Sequence, residues 1–311
     1  MDINEISCKE YDNLVKEPFS VFDSSAFCEL NRWKVDDVKY LVFNDGKNRF
    51  YLIAGIKDGV VKFPFSASFS MLANISFHNK IICYHEAVKA LTDWIYANGY
   101  KKVIFSLPPY FYNPTTITML YNALFVNGYK IEDIEVNYEY YLNKFSDKYE
   151  MDIDPKARQK LRSSFKNGLT FEKTDDIDLV YEVIRQNREY RGFPLRMSID
   201  DVKSTRNVVD TDLFLARNAD GEPIASALVY HITDKILRVI YWGNTAESEN
   251  LRPMNFLSYN VFKYYSDKSF YVIDIGHSTD DSIPNFGLCD FKQAIGCDCS
   301  PKLVMSKNFE K

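Results

Sequence analysis

Short alternating apolar runs open this chain, and longer-period stripes follow them. Val38 to Phe43, Phe50 to Ile56 and Val60 to Phe65 are rich in β-branched and aromatic residues, and the turn signals Asn44-Asp45-Gly46 and Lys57-Asp58-Gly59 separate them. That pattern predicts an antiparallel meander. The period then changes, because Ala87, Val88, Leu91, Trp94 and Ile95 fall on one face of a helix from His85 to Asn98 that Gly99 ends. Val103-Ile104-Phe105 reads as a strand closed by Pro108-Pro109, Thr116 to Val126 as a helix stopped by Gly128, and Ile131 to Leu142 as a strand. Asn-Gly-Tyr-Lys occurs at 98–101 and again at 127–130, each time at a helix-to-strand junction. This repeat is shared capping chemistry, since glycine supplies the left-handed residue after a helix.

The polar segment Asn143 to Asp152 and the helix-start signal Asp154-Pro155 set a domain boundary, giving domains at 1–150 and 151–311. Ala157, Leu161 and Phe165 form the expected inner face of the next helix, with Lys156, Arg158, Lys160, Arg162 and Lys166 around the rest before Asn167-Gly168. A strand at Thr170 to Glu172 and helices from Ile177 to Tyr190 and from about Ser198 follow. Leu213 to Arg217, Ile224 to Ile232 and Ile236 to Trp242 predict a second meander, then a helix from Pro253 to Tyr265 and a buried strand through Asp274.

A length of 311 residues suits two cores, and 46% hydrophobic with 15% aromatic residues excludes a disordered chain. The six cysteines lack paired C-x-x-C spacing. Although Cys289, Cys297, Cys299 and His277 cluster in sequence, buried thiols in a reducing compartment are the expectation, with no metal. A formal charge of -5 argues against a general nucleic-acid binder and leaves room for a local basic groove. The acidic start and the lack of any run near the roughly 18 apolar residues of a membrane span lead us to expect a cytoplasmic protein without a span. No P-loop, Gly-x-Gly-x-x-Gly, His-Glu-x-x-His or Gly-x-Ser-x-Gly motif occurs.

The most telling chemistry is near the end. Phe270-Tyr271-Val272-Ile273-Asp274-Ile275-Gly276 reads as a buried strand that exposes Asp274 where the chain turns, and Gly287 to Gly296 reads as a short helix carrying Lys292. Together they resemble the Asp-x-Gly and Phe-Lys-x-x-aromatic-Gly motifs of the FemAB-like, Fem-type aminoacyl transferases, built from GNAT-type acyltransferase folds. Ile273 and Ile295 stand where that family usually has aromatic residues. The resemblance covers mainly the chain from about residue 154 onward. It implies a mixed α/β (α+β) chain of two tandem GNAT-like domains, each a mostly antiparallel sheet flanked by helices. It further implies an acyltransferase moving an activated acyl or aminoacyl group onto an amine by direct attack.

Within that reading Lys292 stabilises developing charge and Asp274 orients the acceptor amine, with His277 a candidate base. Arg158, Arg162, Arg188, Arg191, Arg196 and Arg252 are candidates for binding the phosphates of a nucleotide-linked substrate or an RNA acceptor stem. The resemblance implies a small-molecule or cell-wall-precursor acceptor and an aminoacyl-tRNA donor, with acyl-CoA the other donor and no resident cofactor required. Leu251-Arg252-Pro253-Met254-Asn255-Phe256 stands where acetyl-CoA-dependent GNAT enzymes carry Arg/Gln-x-x-Gly-x-Gly/Ala. Both glycines are missing and Pro253 removes an N–H, which weakens a pyrophosphate cradle. Two alternatives stand beside this reading: an acetyl-CoA-dependent N-acetyltransferase, and a catalytically silent GNAT-fold protein that binds a ligand or partner.

Overall fold

The alternating runs of the first half fold as the meander they predict. The computed structural model describes residues 1–47, 49–76 and 79–309, which group into two units, Met1–Val136 with Ser300–Lys311, and Asn137–Cys299. The sequence boundary at 150/151 lies within the second unit. Strand β7 carries the chain between the units in one unbroken pattern, so no change of composition marks the place.

In the first unit, β1 (Asp2–Ile6) leads into α1 (Cys8–Leu14) and α2 (Ser25–Leu30), and then come β2 (Asp37–Asn44), β3 (Arg49–Lys57) and β4 (Val60–Phe63). β1, β2, β3 and β4 pair antiparallel in that order, and the two-residue β5 (Ala73–Asn74) also pairs with β3. The sequence pattern misses β1, α1 and α2. β1 is polar and mostly exposed, and helices of seven and six residues are too short to show a stripe. A Ser7–Glu10 capping box and the Ser24 side chain start those helices instead.

The helix α3 (Ile81–Ala97) buries Ala87, Val88, Leu91 and Ile95 of the predicted stripe, while Trp94 is only half-buried at its edge, its Nε1 donating to Glu5 at 3.2 Å. It connects β4 to β6 (Lys102–Ser106), which lies parallel to β4 from Val60↔Lys102 to Phe63↔Phe105. Next come α4 (Pro114–Val126), capped by Asn113, and β7 (Lys130–Tyr141). Gly99 and Gly128 both take positive φ, and Tyr100 and Tyr129 donate back to Ile95 and Leu124, so the repeated tetrapeptide is a pair of helix caps.

The second unit begins with α5 (Tyr149–Asp152) and α6 (Pro155–Lys166), the latter capped by Asp154. Ala157 and Leu161 are buried as expected, but Phe165 is 41% exposed and Ser164 is buried in its place. The inner stripe runs 157, 161, 164, so Phe165 falls to its edge, where its ring leans on Phe256 and Tyr259. β8 (Thr170–Thr174), α7 (Ile177–Arg191) and α8 (Ile199–Arg206) precede the meander β9 (Thr211–Arg217), β10 (Pro223–His231) and β11 (Ile236–Asn244). α9 (Pro253–Ser266) then leads to β12 (Val272–His277), a small hairpin of β13 (Thr279–Asp280) and β14 (Ile283–Pro284), and α10 (Phe286–Ala294). β15 (Asp298–Asn308) returns the chain to the first unit, where it pairs antiparallel with β6. β8 to β11 pair antiparallel in sequence order, β11 is parallel to β12, and β12 is antiparallel to the end of β7. Each unit thus runs meander, helix, strand, helix, strand, the tandem GNAT-like arrangement in a mixed α/β chain.

Candidate functional site

β11 and β12 pair only from Ile236↔Val272 to Arg238↔Asp274, although β11 continues to Asn244 and β12 to His277. Two bulges accompany this parting. The β10–β11 register shifts at Leu228/Val229, leaving Ile240 as the extra residue, and the β12–β7 register shifts between Asp274 and Gly276, leaving Ile275. A bulge bends a strand and raises its twist, so the two neighbours diverge into a fork just past Arg238 and Asp274.

Asp274 corrects the sequence expectation. It lies within β12 and is fully buried, with strands on both sides, so its carboxylate is not offered to solvent at a strand end. It forms an ion pair with Arg238, itself 4% exposed. Its Oδ1 accepts from Asn137 Nδ2 at 2.9 Å and from the Gly276 N–H at 2.8 Å. Gly276 has φ +80, which a side chain would strain. Its carbonyl and that of His277 accept from Lys292 Nζ at 2.7 and 3.2 Å.

Lys292 reaches those carbonyls from α10, which the Asn285 side chain caps by accepting the Leu288 N–H at 3.1 Å. The ammonium is 3% exposed and sits 5.3 Å from the centre of the Tyr138 ring. Burial pulls its pKa down to about 7; Cys297, Asp274 and Cys289 oppose this and Arg238 adds to it. Burial, then a hydrogen bond with Cys289, pushes the Tyr138 hydroxyl above its usual range. Asn137 Oδ1 and Ser278 Oγ are buried without a hydrogen-bond partner. His277 is exposed, and its backbone carbonyl is what meets Lys292. The side chain of Trp242, past the fork on β11, meets Phe291 of α10 edge to face at 6.2 Å.

Lys292 and Asp274 therefore come together with the His277 backbone, while the His277 residue is exposed, and the arginines lie on α6, on and after α7 and just before α9. Arg188, on the last turns of α7, lies 5.4 Å from the centre of the Tyr241 ring, and its Nε is buried without a hydrogen-bond partner. Burial lowers its pKa. Arg191 and Arg252 converge on Glu249: Arg191 pairs with its carboxylate, and Arg252 Nη1 donates to its carbonyl at 3.3 Å. Arg252 holds a left-handed φ of 61 just before α9, and Arg196 is exposed in the loop after α7. Arg158 and Arg162 sit on α6, where Arg162 is paired with Glu150 at 2.6 Å and Arg158 Nη1 lies 3.4 Å from Met151 Sδ. Among the described residues no group of three or more His, Cys, Asp or Glu could hold a metal ion, and no helix is long and apolar enough to cross a membrane.

The sequence reading passes over Arg238, Asn137, Tyr138 and Tyr241. Arg238 carried a readable signal, a lone charge inside the apolar run Ile236-Leu237-Arg238-Val239-Ile240. Asn137 carried none, because a polar residue in an alternating strand normally faces water.

No family model matches the chain, and no curated protein is similar to it in sequence. Solved structures are similar in fold. FemX superposes with a TM-score of 0.72 at 14% identity over 99% of this chain and 98% of its own. The C-terminal domain of a putative lysylphosphatidylglycerol synthetase from Agrobacterium fabrum gives 0.61 at 13% over 97% and 93%. A tandem GNAT protein from the clavulanic acid biosynthesis pathway gives 0.54 at 9% over 99% and 98%. The forked sheet of the second unit, the matching element order of the first and these superpositions over nearly the whole chain give one conclusion: the protein shares the fold of FemX and of the tandem GNAT protein.

Proposed function

We propose that this protein is an acyltransferase that moves an activated acyl or aminoacyl group onto an amine at the fork of the second unit. The observation that carries the reading is Lys292, a buried cation fixed on two backbone carbonyls beside the point where β11 and β12 part. An ammonium has three N–H donors. Two are spent on Gly276 and His277, which leaves one for the oxygen of an acyl carbonyl as it gains charge. With its pKa near 7, Lys292 also exchanges a proton readily at neutral pH, as attack by an amine requires. The acceptor amine attacks the acyl carbon, the donor's bond to that carbon breaks, and the proton the amine gives up ends on the departing oxygen of the donor, so no enzyme-bound intermediate is needed.

Arg188, with its unpaired Nε over Tyr241, is the best-placed candidate for a phosphate, with Arg191 and Arg196 beside it in sequence. The donor we favour is aminoacyl-tRNA rather than acetyl-CoA, since the segment before α9 lacks both glycines of a pyrophosphate loop and Pro253 opens the helix. FemX and the lysylphosphatidylglycerol synthetase domain share the fold, which supports an aminoacyl donor and a cell-wall or lipid acceptor.

The test is a product assay by mass spectrometry. Purified protein is incubated with aminoacyl-tRNA or acetyl-CoA and with a nucleotide-linked cell-wall precursor that carries a free amine, or with phosphatidylglycerol as the lipid alternative. An aminoacylated product that Lys292→Ala abolishes supports the proposal. Transfer from acetyl-CoA alone replaces the donor, and absence of product and of any thermal shift with every donor overturns the enzyme reading.

A further inference from the structure

We infer that Asp274, Arg238 and Asn137 are positioning residues, which lock the β12 bulge so that the carbonyls of Gly276 and His277 hold the Lys292 amine in one place. This rests on the reading of Lys292 as the functional cation.

Three donors from three strands converge on one carboxylate: Asn137 from β7, Arg238 from β11 and the Gly276 N–H from β12 itself. Oδ1 takes Asn137 and Gly276, and Oδ2 takes Arg238. The bulged Ile275 gives up its place in the β12–β7 ladder, so the Asp274 side chain closes the turn that the ladder leaves open. That turn leaves Gly276 at positive φ, where an added Cβ would lie 3.5 Å from Arg238 Nη2, and its carbonyl then faces the amine. An asparagine at 274 could not serve, because it has a single acceptor oxygen for donors arriving on two sides. An apolar pair of similar volume commonly holds a fold as well as a buried ion pair does, so stability alone does not call for one here. What an apolar pair could not do is fix the direction of two carbonyls.

The groups that face Lys292 are Tyr138 on β7, Arg238 on β11, Asp274 on β12, Cys289 on its own helix and Cys297 after it. The experiment follows the amine directly, by NMR titration of protein labelled with ε-13C lysine, the Lys292 resonance being assigned through Lys292→Arg. Two variants separate position from charge. Asn137→Ser removes one donor and changes no charge, and the double variant Asp274→Asn with Arg238→Gln removes one charge of each sign. In both, the Lys292 midpoint is expected to move by about half a pH unit or more from the wild-type value. Arg238→Lys, which retains a cation against Asp274, should restore most of it. If Asn137→Ser and the double variant fold, by circular dichroism, and leave the Lys292 midpoint and line width unchanged, the network does not position the amine. Should the double variant fail to fold, Asn137→Ser decides alone. No turnover enters this measurement. A moved midpoint without any transferase product therefore sinks the function and keeps the network, while an unmoved midpoint with Lys292-dependent turnover does the reverse.

Discussion

Both units bury a carboxylate beside the place where a parallel strand pair parts, and they settle it in opposite ways. In the first unit β4 and β6 part after Phe63↔Phe105. The gap is drawn shut by Ser70, whose N–H donates to the Ser106 carbonyl at 3.0 Å, and by aromatic rings, with Phe63 against Phe105 at 5.0 Å. Phe65 lies over Gly55 so tightly that an added Cβ would be 2.3 Å from it. The local carboxylate, Asp23, faces only neutral donors: the Ser20 and Ser70 hydroxyls, both at 2.6 Å, and the Met71 N–H at 3.1 Å. Burial pushes its pKa up to about 6. In the second unit Asp274 is matched by Arg238 and lies near a second buried cation, Lys292. One fold position thus serves as core in the first unit and as a charged site in the second, and the side chains delivered to it make the difference.

The largest effect that would sharpen this contrast is catalytic. Lys292→Ala is expected to lower turnover of an identified donor and acceptor by roughly 10²–10³-fold, the usual cost of removing a donor to a developing oxyanion, while Asp23→Asn leaves turnover unchanged. Steady-state rates on the two variants decide it, and equal losses would erase the distinction between the units.

Stability should separate the carboxylates next. Asp274→Ala removes one partner of a fully buried ion pair and should cost about 3–5 kcal/mol in urea unfolding. Asp23→Ala leaves only neutral donors unpaired, at about 1–3 kcal/mol. A larger loss at Asp23 would mean that the ion pair matters less than its burial implies.

Glycine substitutions test the same contrast more gently. Gly55→Ala drives a methyl into Phe65 and is expected to cost about 1–3 kcal/mol by overpacking. Gly276→Ala meets only the Arg238 side chain at 3.5 Å and should cost about 1 kcal/mol of backbone strain, with a shifted Lys292 titration in addition. If Gly276→Ala leaves that titration alone, the bulge does not aim the carbonyls.

The remaining test is the pH dependence of the melting temperature. Asp23 has its folded pKa raised from 3.8 to about 6. Through that window the folded chain keeps a proton that the unfolded chain has lost, so this group makes stability fall as pH rises, with its full cost present above about 6. Lys292 has its folded pKa lowered from 10.5 to about 7. Between those values the unfolded chain holds the extra proton, so stability rises with pH, and the penalty is fully present below about 7. Asp23→Asn should flatten the acidic slope alone and Lys292→Met the alkaline slope alone.

Local patterns made most of the fold legible. Both meanders, the helices starting at Asp154-Pro155 and Ser198, and the paired caps at Gly99 and Gly128 follow from alternation, capping residues and glycine, all of which act within a few residues. β1, α1 and α2 escaped because they are short or polar. In the candidate site, the Asp-x-Gly and Phe-Lys segments pointed to Asp274 and Lys292, yet the sequence reading exposed Asp274 at a strand end and did not foresee the burial of Lys292. Their burial arises from partners distant in the chain, Asn137 lying 137 residues from Asp274 and Arg238 lying 36.

The sequence by itself determined which segments become strands and helices, where most of them stop and which residues bring charge to the last strand and helix, because each depends on neighbours within a turn or a hairpin. Tertiary structure alone decided that the second fork is charged and the first is filled, that Asp274 answers to Arg238, and that Lys292 loses its water. Those outcomes depend on desolvation and on donors arriving from separate strands, and neither is set until the strands pair.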